Sequence, residues 1–166
     1  RSEYIMMKRP DITFSDHMSI QLGDTHFELY HTPGHSSCQT CVYVPEERTA
    51  IVGDTLFVDC QTWLHSANIE ELLQSLDFLE TLDVDHIIPG HGPVVTKDYI
   101  EKQRSFIYEW LGAVAAGISK GWTQDECVAN ISFAERCPMD IGQPEMMEYV
   151  QRTNTIKCYQ YLMHKA

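Results

Sequence analysis

An α/β (α+β) fold, strands first and helices after, is what the sequence predicts, and three observations carry it. Residues up to about Asp54 are rich in β-branched and aromatic side chains interrupted by turn residues. From Asn68 the apolar spacing becomes helical. A single short apolar run, His86-Ile87-Ile88, then separates that helix from a longer helical tail.

The strands are expected at 18–22, 27–30, 40–44 and 49–52, punctuated by Gly23-Asp24 and by Pro45-Glu46-Glu47. Between the second and third lies the polar loop His31-Thr32-Pro33-Gly34-His35-Ser36-Ser37, in which proline fixes one dihedral and glycine permits a reversal. Asn68 can cap the first helix, with Glu71 at its third position and Ile69, Leu72, Leu73, Leu76, Leu79 and Leu82 at helical spacing. After strand 86–88 comes a second glycine-proline loop, Pro89-Gly90-His91-Gly92-Pro93. Thr96 is the expected cap of a longer helix with Ile100, Ile107, Leu111, Val114 and Ile118 inward, ended by Gly121. Thr123-Gln124-Asp125-Glu126 is a capping box. A break is expected from Cys137 to Pro144, then a last helix from Glu145 to about Met163 with Met146, Val150 and Tyr159 inward.

Composition narrows the function. The 166 residues, 43% of them hydrophobic, suffice for one domain with a core, which excludes disordered and fibrous classes. A net charge of −12 repels phosphate backbones and anionic membrane surfaces, so neither nucleic acid nor membrane is an expected partner. No stretch approaches the roughly 20 apolar residues of a spanning helix; the best, from Leu111 to Ala116, contains Gly112. Six cysteines are too few for a disulfide scaffold at this length, which makes a reducing, cytoplasmic setting the default. The chain opens Arg-Ser-Glu-Tyr without an initiator Met, so a partial chain is expected.

Three short motifs carry the chemistry: HTPGH at 31–35, GDTLF at 53–57 and PGHG at 89–92, each read as a turn directly after a strand. They nominate His35, Asp54 and His91 as metal ligands, since imidazole and carboxylate suit zinc or iron and a sheet beneath holds such turns still. Spacing alone would leave them as solvated loop residues. In order and wording, however, the three motifs resemble the last three metal-binding motifs of the metallo-β-lactamase superfamily, from about Ile12 to Pro93. Residues from Thr96 onward resemble the helical tail of its hydrolase-like members.

That resemblance implies roles and an architecture. His35 matches the third motif's ligand, Asp54 the carboxylate bridging two metals and so the catalytic residue, and His91 the last ligand of the second metal; His31 matches no ligand. The implied function is a zinc-dependent hydrolase that attacks a small ester, thioester, lactone or lactam through a metal-bound hydroxide. The implied fold is an αβ/βα sandwich. Residues 1–95 correspond to its C-terminal half, one mixed β-sheet with flanking helices, and 96–166 to a helical extension packed on it.

The family's H-x-H-x-D-H motif has no counterpart, since no two histidines here are separated by one residue. His35, Asp54 and His91 alone would give each of two zinc ions only two protein ligands, fewer than a catalytic zinc needs. Activity is therefore not expected of this chain alone. A missing N-terminal half, or a partner chain that includes a second copy in a homo-oligomer, would complete the site and cover an otherwise bare apolar sheet face.

Other residues carry weaker expectations. Trp63 and His65 are candidate cleft residues, in a loop where relatives line the substrate site. Cys38 and Cys41 form a C-x-x-C that is read first as structural and second as a metal or redox pair. His17, His26, His86 and His164 are read as structural or solvated, Met146, Met147 and Met163 as core filler, and Glu101 to Arg104 and Arg152 to Lys157 as solvated surface. Arg152-x-Asn154 is kept as a minor substrate-contact candidate. Two other functions remain open: a mononuclear-iron sulfur dioxygenase using His35 and Asp54 without His91, and a non-catalytic half-domain that associates through its sheet.

Overall fold

The structure, a computed structural model, describes residues 9–136 and 144–165. Strands β1 (His17–Leu22), β2 (Thr25–His31), β3 (Thr40–Val44) and β4 (Thr49–Phe57) form an antiparallel meander. Helix α1 (Ile69–Thr81) then crosses over to β5 (His86–His91), which lies parallel to β4 at the sheet edge. Helices α2 (Tyr99–Ser119), α3 (Gln124–Asn130) and α4 (Met147–Lys165) follow. None of the described helices is long and apolar enough to cross a membrane.

Strand alternation sorts the sheet into two faces. Cys41, Ala50, Val52 and Ile87 are fully buried in one core with Leu72, Leu76 and Leu79 of α1 and Ile100 and Ile107 of α2. Each leucine so buried contributes about 1.5–3 kcal/mol. The opposite face carries an apolar row across all five strands, Met18–Leu29–Val42–Ile51–Ile88 in register. On that face Ile20, Leu22, Ile51 and Ile88 are exposed.

Local signals explain the helices. Asn68 caps α1, accepting from the Glu70 and Glu71 N–H groups. The Thr123/Glu126 capping box opens α3 as expected. Helix α2 departs from expectation: it starts at Tyr99 with Asp98 as its cap residue, and Thr96 contributes only its carbonyl, to Tyr99 N–H at 3.1 Å. Val95 is still bridged to Ile87, which leaves 96–98 to turn the chain away from the sheet. The expected break at Cys137 to Pro144 falls largely on 137–143, outside the described residues.

The last helix buries a face that periodicity did not show. Its buried residues are Val150, Gln151, Asn154, Thr155 and Cys158, whereas Met146 and Tyr159 are only partly buried and Met163 is exposed. The inward polar groups are bonded: Gln151 accepts from Phe133 N–H at 2.8 Å and Thr155 from Trp110 Nε1 at 3.1 Å. Trp110 itself is fully buried, with ring centroids 5.3 Å from Phe106 and 4.8 Å from Phe133. The helical tail is thus joined by an aromatic cluster and by specific hydrogen bonds.

Candidate metal centre

The structure brings His35, Asp54 and His91 together at one end of the β4–β5 pair. Only His35 sits in a loop. Its turn is tied to α1, with Asn68 N–H donating to Gly34 O at 2.7 Å and Ser75 Oγ to Pro33 O at 2.6 Å. Asp54 lies inside β4 and His91 is the last residue of β5, a correction to the reading of both motifs as turns after strands. Pairing continues past Val52 because the irregularity is absorbed within the strands, where the register shifts between Ile51, Gly53 and Phe57. Gly53 takes the left-handed φ of 53° that this bulge requires and so re-aims the next residue, Asp54.

Gly90 makes the approach possible. A Cβ there would stand 2.0 Å from Asp54 Oδ1 and 2.7 Å from Gly53 C. With no side chain in the way, each oxygen of Asp54 faces one imidazole: Oδ2 is 3.3 Å from His35 Nε2 and Oδ1 is 3.5 Å from His91 Nε2. Side-chain exposure is 15% for His35, 36% for Asp54 and 31% for His91, so the cluster opens to solvent on one side. Phe57 packs against both imidazoles, with ring centroids 4.9 Å from His91 and 5.6 Å from His35.

The donor chemistry fits part of a zinc or iron ligand shell. His35 Nδ1 is 3.1 Å from the Trp63 carbonyl, which can only accept, so Nδ1 donates there and Nε2, turned towards Asp54, is the nitrogen left for a metal. Asp54 supplies one oxygen to each side, as a bridging carboxylate does. Among the described residues no group of three or more His, Cys, Asp and Glu side chains is arranged to hold an ion by itself, so further donors are needed.

Trp63 and His65 stand beside His35. The His65 ring centroid is 5.8 Å from Trp63 and 6.5 Å from His35. Desolvation first, then the neighbouring His35 and Lys157, holds the His65 imidazole below its ordinary pKa. The buried Trp63 Nε1 has no hydrogen-bond partner in the structure.

Other candidates separate from the centre. Cys38 is exposed while Cys41 is fully buried in β3, where burial pushes its thiol up to about 12, so the C-x-x-C pair shares no environment. His17 pairs with Glu28 and His26 with Glu46, both at 2.5 Å on the surface, in keeping with structural roles. Asn154 is fully buried and Arg152 exposed, which removes Asn154 from solvent-facing substrate contact; with Gln103 and Thr155 also buried, the reading of 101–104 and 152–157 as solvated surface is corrected. Phe57 and Gly90 were missed as site residues. Their signal was present, since both belong to the motifs that carry the ligands.

Comparison with known proteins identifies the family. The family model described as the metallo-beta-lactamase superfamily matches residues 3–91. An uncharacterized protein of Aquifex aeolicus is 36% identical over 101 residues, covering 58% of this chain and 46% of that protein. A hydroxyacylglutathione hydrolase of Francisella tularensis subsp. novicida is 37% identical over 83 residues, covering 46% of this chain and 31% of the enzyme. The chain therefore spans less than half the length of these curated relatives. The crystal structure of a metallo-beta-lactamase family protein from Thermus thermophilus superimposes with a TM-score of 0.71 at 17% identity, over 95% of this chain and 50% of that one, a likeness of fold. Because the family match spans more than half the chain and takes in all three motif residues, the chain belongs to the metallo-beta-lactamase superfamily.

Proposed function

We propose that the protein is a zinc-dependent hydrolase whose full activity is directed at a small thioester or related ester, with His35, Asp54 and His91 as part of its metal-binding set. The observation that carries this reading is the Asp54 carboxylate set between two imidazole Nε2 atoms, one on each oxygen. A metal bound there supplies the positive charge that polarises a carbonyl and lowers the pKa of water. This chain's own residues shape the place: Trp63 O accepts from His35 Nδ1, the Asp54 charge would offset repulsion between neighbouring cations, and Phe57 packs against both rings. Trp63 and His65 flank the centre as walls of the cleft.

The thioester preference is supported by the Francisella relative, named a hydroxyacylglutathione hydrolase. The cysteines described are free, which supports a reducing, cytoplasmic setting. Ligands beyond the three come, on this reading, from a further segment or a partner chain. That source also covers the Met18–Ile88 face.

Full-length protein purified with zinc is expected to hydrolyse a hydroxyacyl thioester of glutathione. His35→Ala and His91→Ala are each expected to lose that activity while retaining the circular dichroism of the parent. Turnover retained in both variants would remove the reading. Stoichiometric iron with full activity in His91→Ala would replace it with the mononuclear dioxygenase.

A further inference from the structure

The helical tail reaches the candidate ligand His35 through one peptide unit. Asn154, fully buried on α4, donates from Nδ2 to Thr62 O at 2.6 Å and accepts from Leu64 N–H at Oδ1 at 2.8 Å. These two bonds straddle Trp63. The Leu64 N–H and the Trp63 C=O belong to the same planar peptide group and point in opposite directions, so fixing one fixes the other. The Trp63 carbonyl is the group that accepts from His35 Nδ1 at 3.1 Å.

A second amide braces the same segment. Gln103 of α2, 3% exposed, donates from Nε2 to Thr62 Oγ1 at 2.6 Å and accepts from Phe57 N–H at 3.3 Å. It therefore ties the end of β4, which carries Asp54, to the loop that carries Trp63. Burying two carboxamides is costly unless every polar atom is bonded, and an apolar side chain would fill the space without that cost. The bonds all converge on 57–64, the segment that flanks the imidazole and the carboxylate.

We propose that Asn154, braced by Gln103, is a positioning residue for His35: it holds the Trp63–Leu64 peptide plane so that the Trp63 carbonyl keeps its bond to Nδ1 and the ring stays turned with Nε2 towards Asp54. The inference deepens the metal-hydrolase reading and rests on His35 being a ligand. It assigns α4 a part in the site although no α4 residue touches the three candidate ligands in the contacts described.

The test compares Asn154→Ala with Thr155→Val in the metal-free, full-length protein labelled with ¹⁵N-histidine. Thr155 is buried on the same helix and accepts from Trp110, away from the 62–64 loop. The His35 signals are assigned by their disappearance in His35→Gln. Wild type and Thr155→Val are expected to show the same His35 ring signals and equal zinc affinity. Asn154→Ala is expected to shift the His35 ring signals, as the bond from Nδ1 to the Trp63 carbonyl loosens, and to bind zinc about 10–100-fold more weakly. Should the alanine variant not fold, Asn154→Ser, whose hydroxyl is too short to bond both backbone groups, takes its place with the same expectation. His35 ring signals unchanged in the substituted protein overturn the proposal. Failure of the metal reading has a different mark: His35→Gln would then bind zinc as wild type does, while the comparison of His35 signals still decides the role of Asn154.

Discussion

Asp54→Ala is expected to strip the metal and to lower hydrolysis by more than about 100-fold, the upper end of what losing an outer-shell partner alone costs. The excess follows from the position of the carboxylate. Its two oxygens face His35 Nε2 and His91 Nε2 separately, so one substitution removes a donor from both sides and deletes the negative charge between two candidate cations. Asp54→Asn separates these contributions, because it keeps the shape and loses the charge. It is expected to retain the fold and still bind metal poorly, as metal analysis of the purified protein would show. Loading comparable to wild type in both variants would contradict the bridging assignment.

Gly90→Ala is expected to have the second largest effect, although a methyl group is all that is added. The new carbon would lie 2.0 Å from Asp54 Oδ1 and 2.7 Å from the Gly53 backbone, so the carboxylate must swing away or β4 and β5 must separate. Overpacking of this kind costs about 1–3 kcal/mol in stability. Metal affinity is expected to fall with it, by about tenfold or more, a displaced direct ligand costing at least as much as a lost outer-shell partner. Gly112→Ala provides the contrast: nothing lies within 4 Å of its added carbon and the site is helical, so a gain of about 0.5–1 kcal/mol is expected. Thermal unfolding and zinc titration of the two variants give opposite signs if the space beside Asp54 is what Gly90 protects.

Much of this arrangement was legible in the sequence, for reasons that particular residues make plain. Enrichment in β-branched and aromatic residues between turn residues located β1 to β4, and the Ile69–Leu79 spacing located α1, which buries one continuous apolar face. The motifs nominated His35, Asp54 and His91 by resemblance. What spacing did not show was that Asp54 and His91 stay within paired strands, since a glycine at positive φ reads as a turn whether it ends a strand or bulges it. The inward face of α4 was hidden for a different reason. Gln151, Asn154 and Thr155 are polar and look like surface until their partners are known, and the partners of Asn154 are about 90 residues earlier in the chain. Hydrophobic periodicity detects burial driven by apolar contact, and it is silent on burial stabilised by long-range hydrogen bonds.

The central claim, that His35, Asp54 and His91 hold a metal, is tested most directly by anomalous diffraction at the zinc edge from crystals of the full-length protein grown with zinc. The account predicts anomalous density within bonding distance of His35 Nε2, His91 Nε2 and the Asp54 carboxylate. Zinc bound elsewhere, with those three side chains free of it, would contradict it.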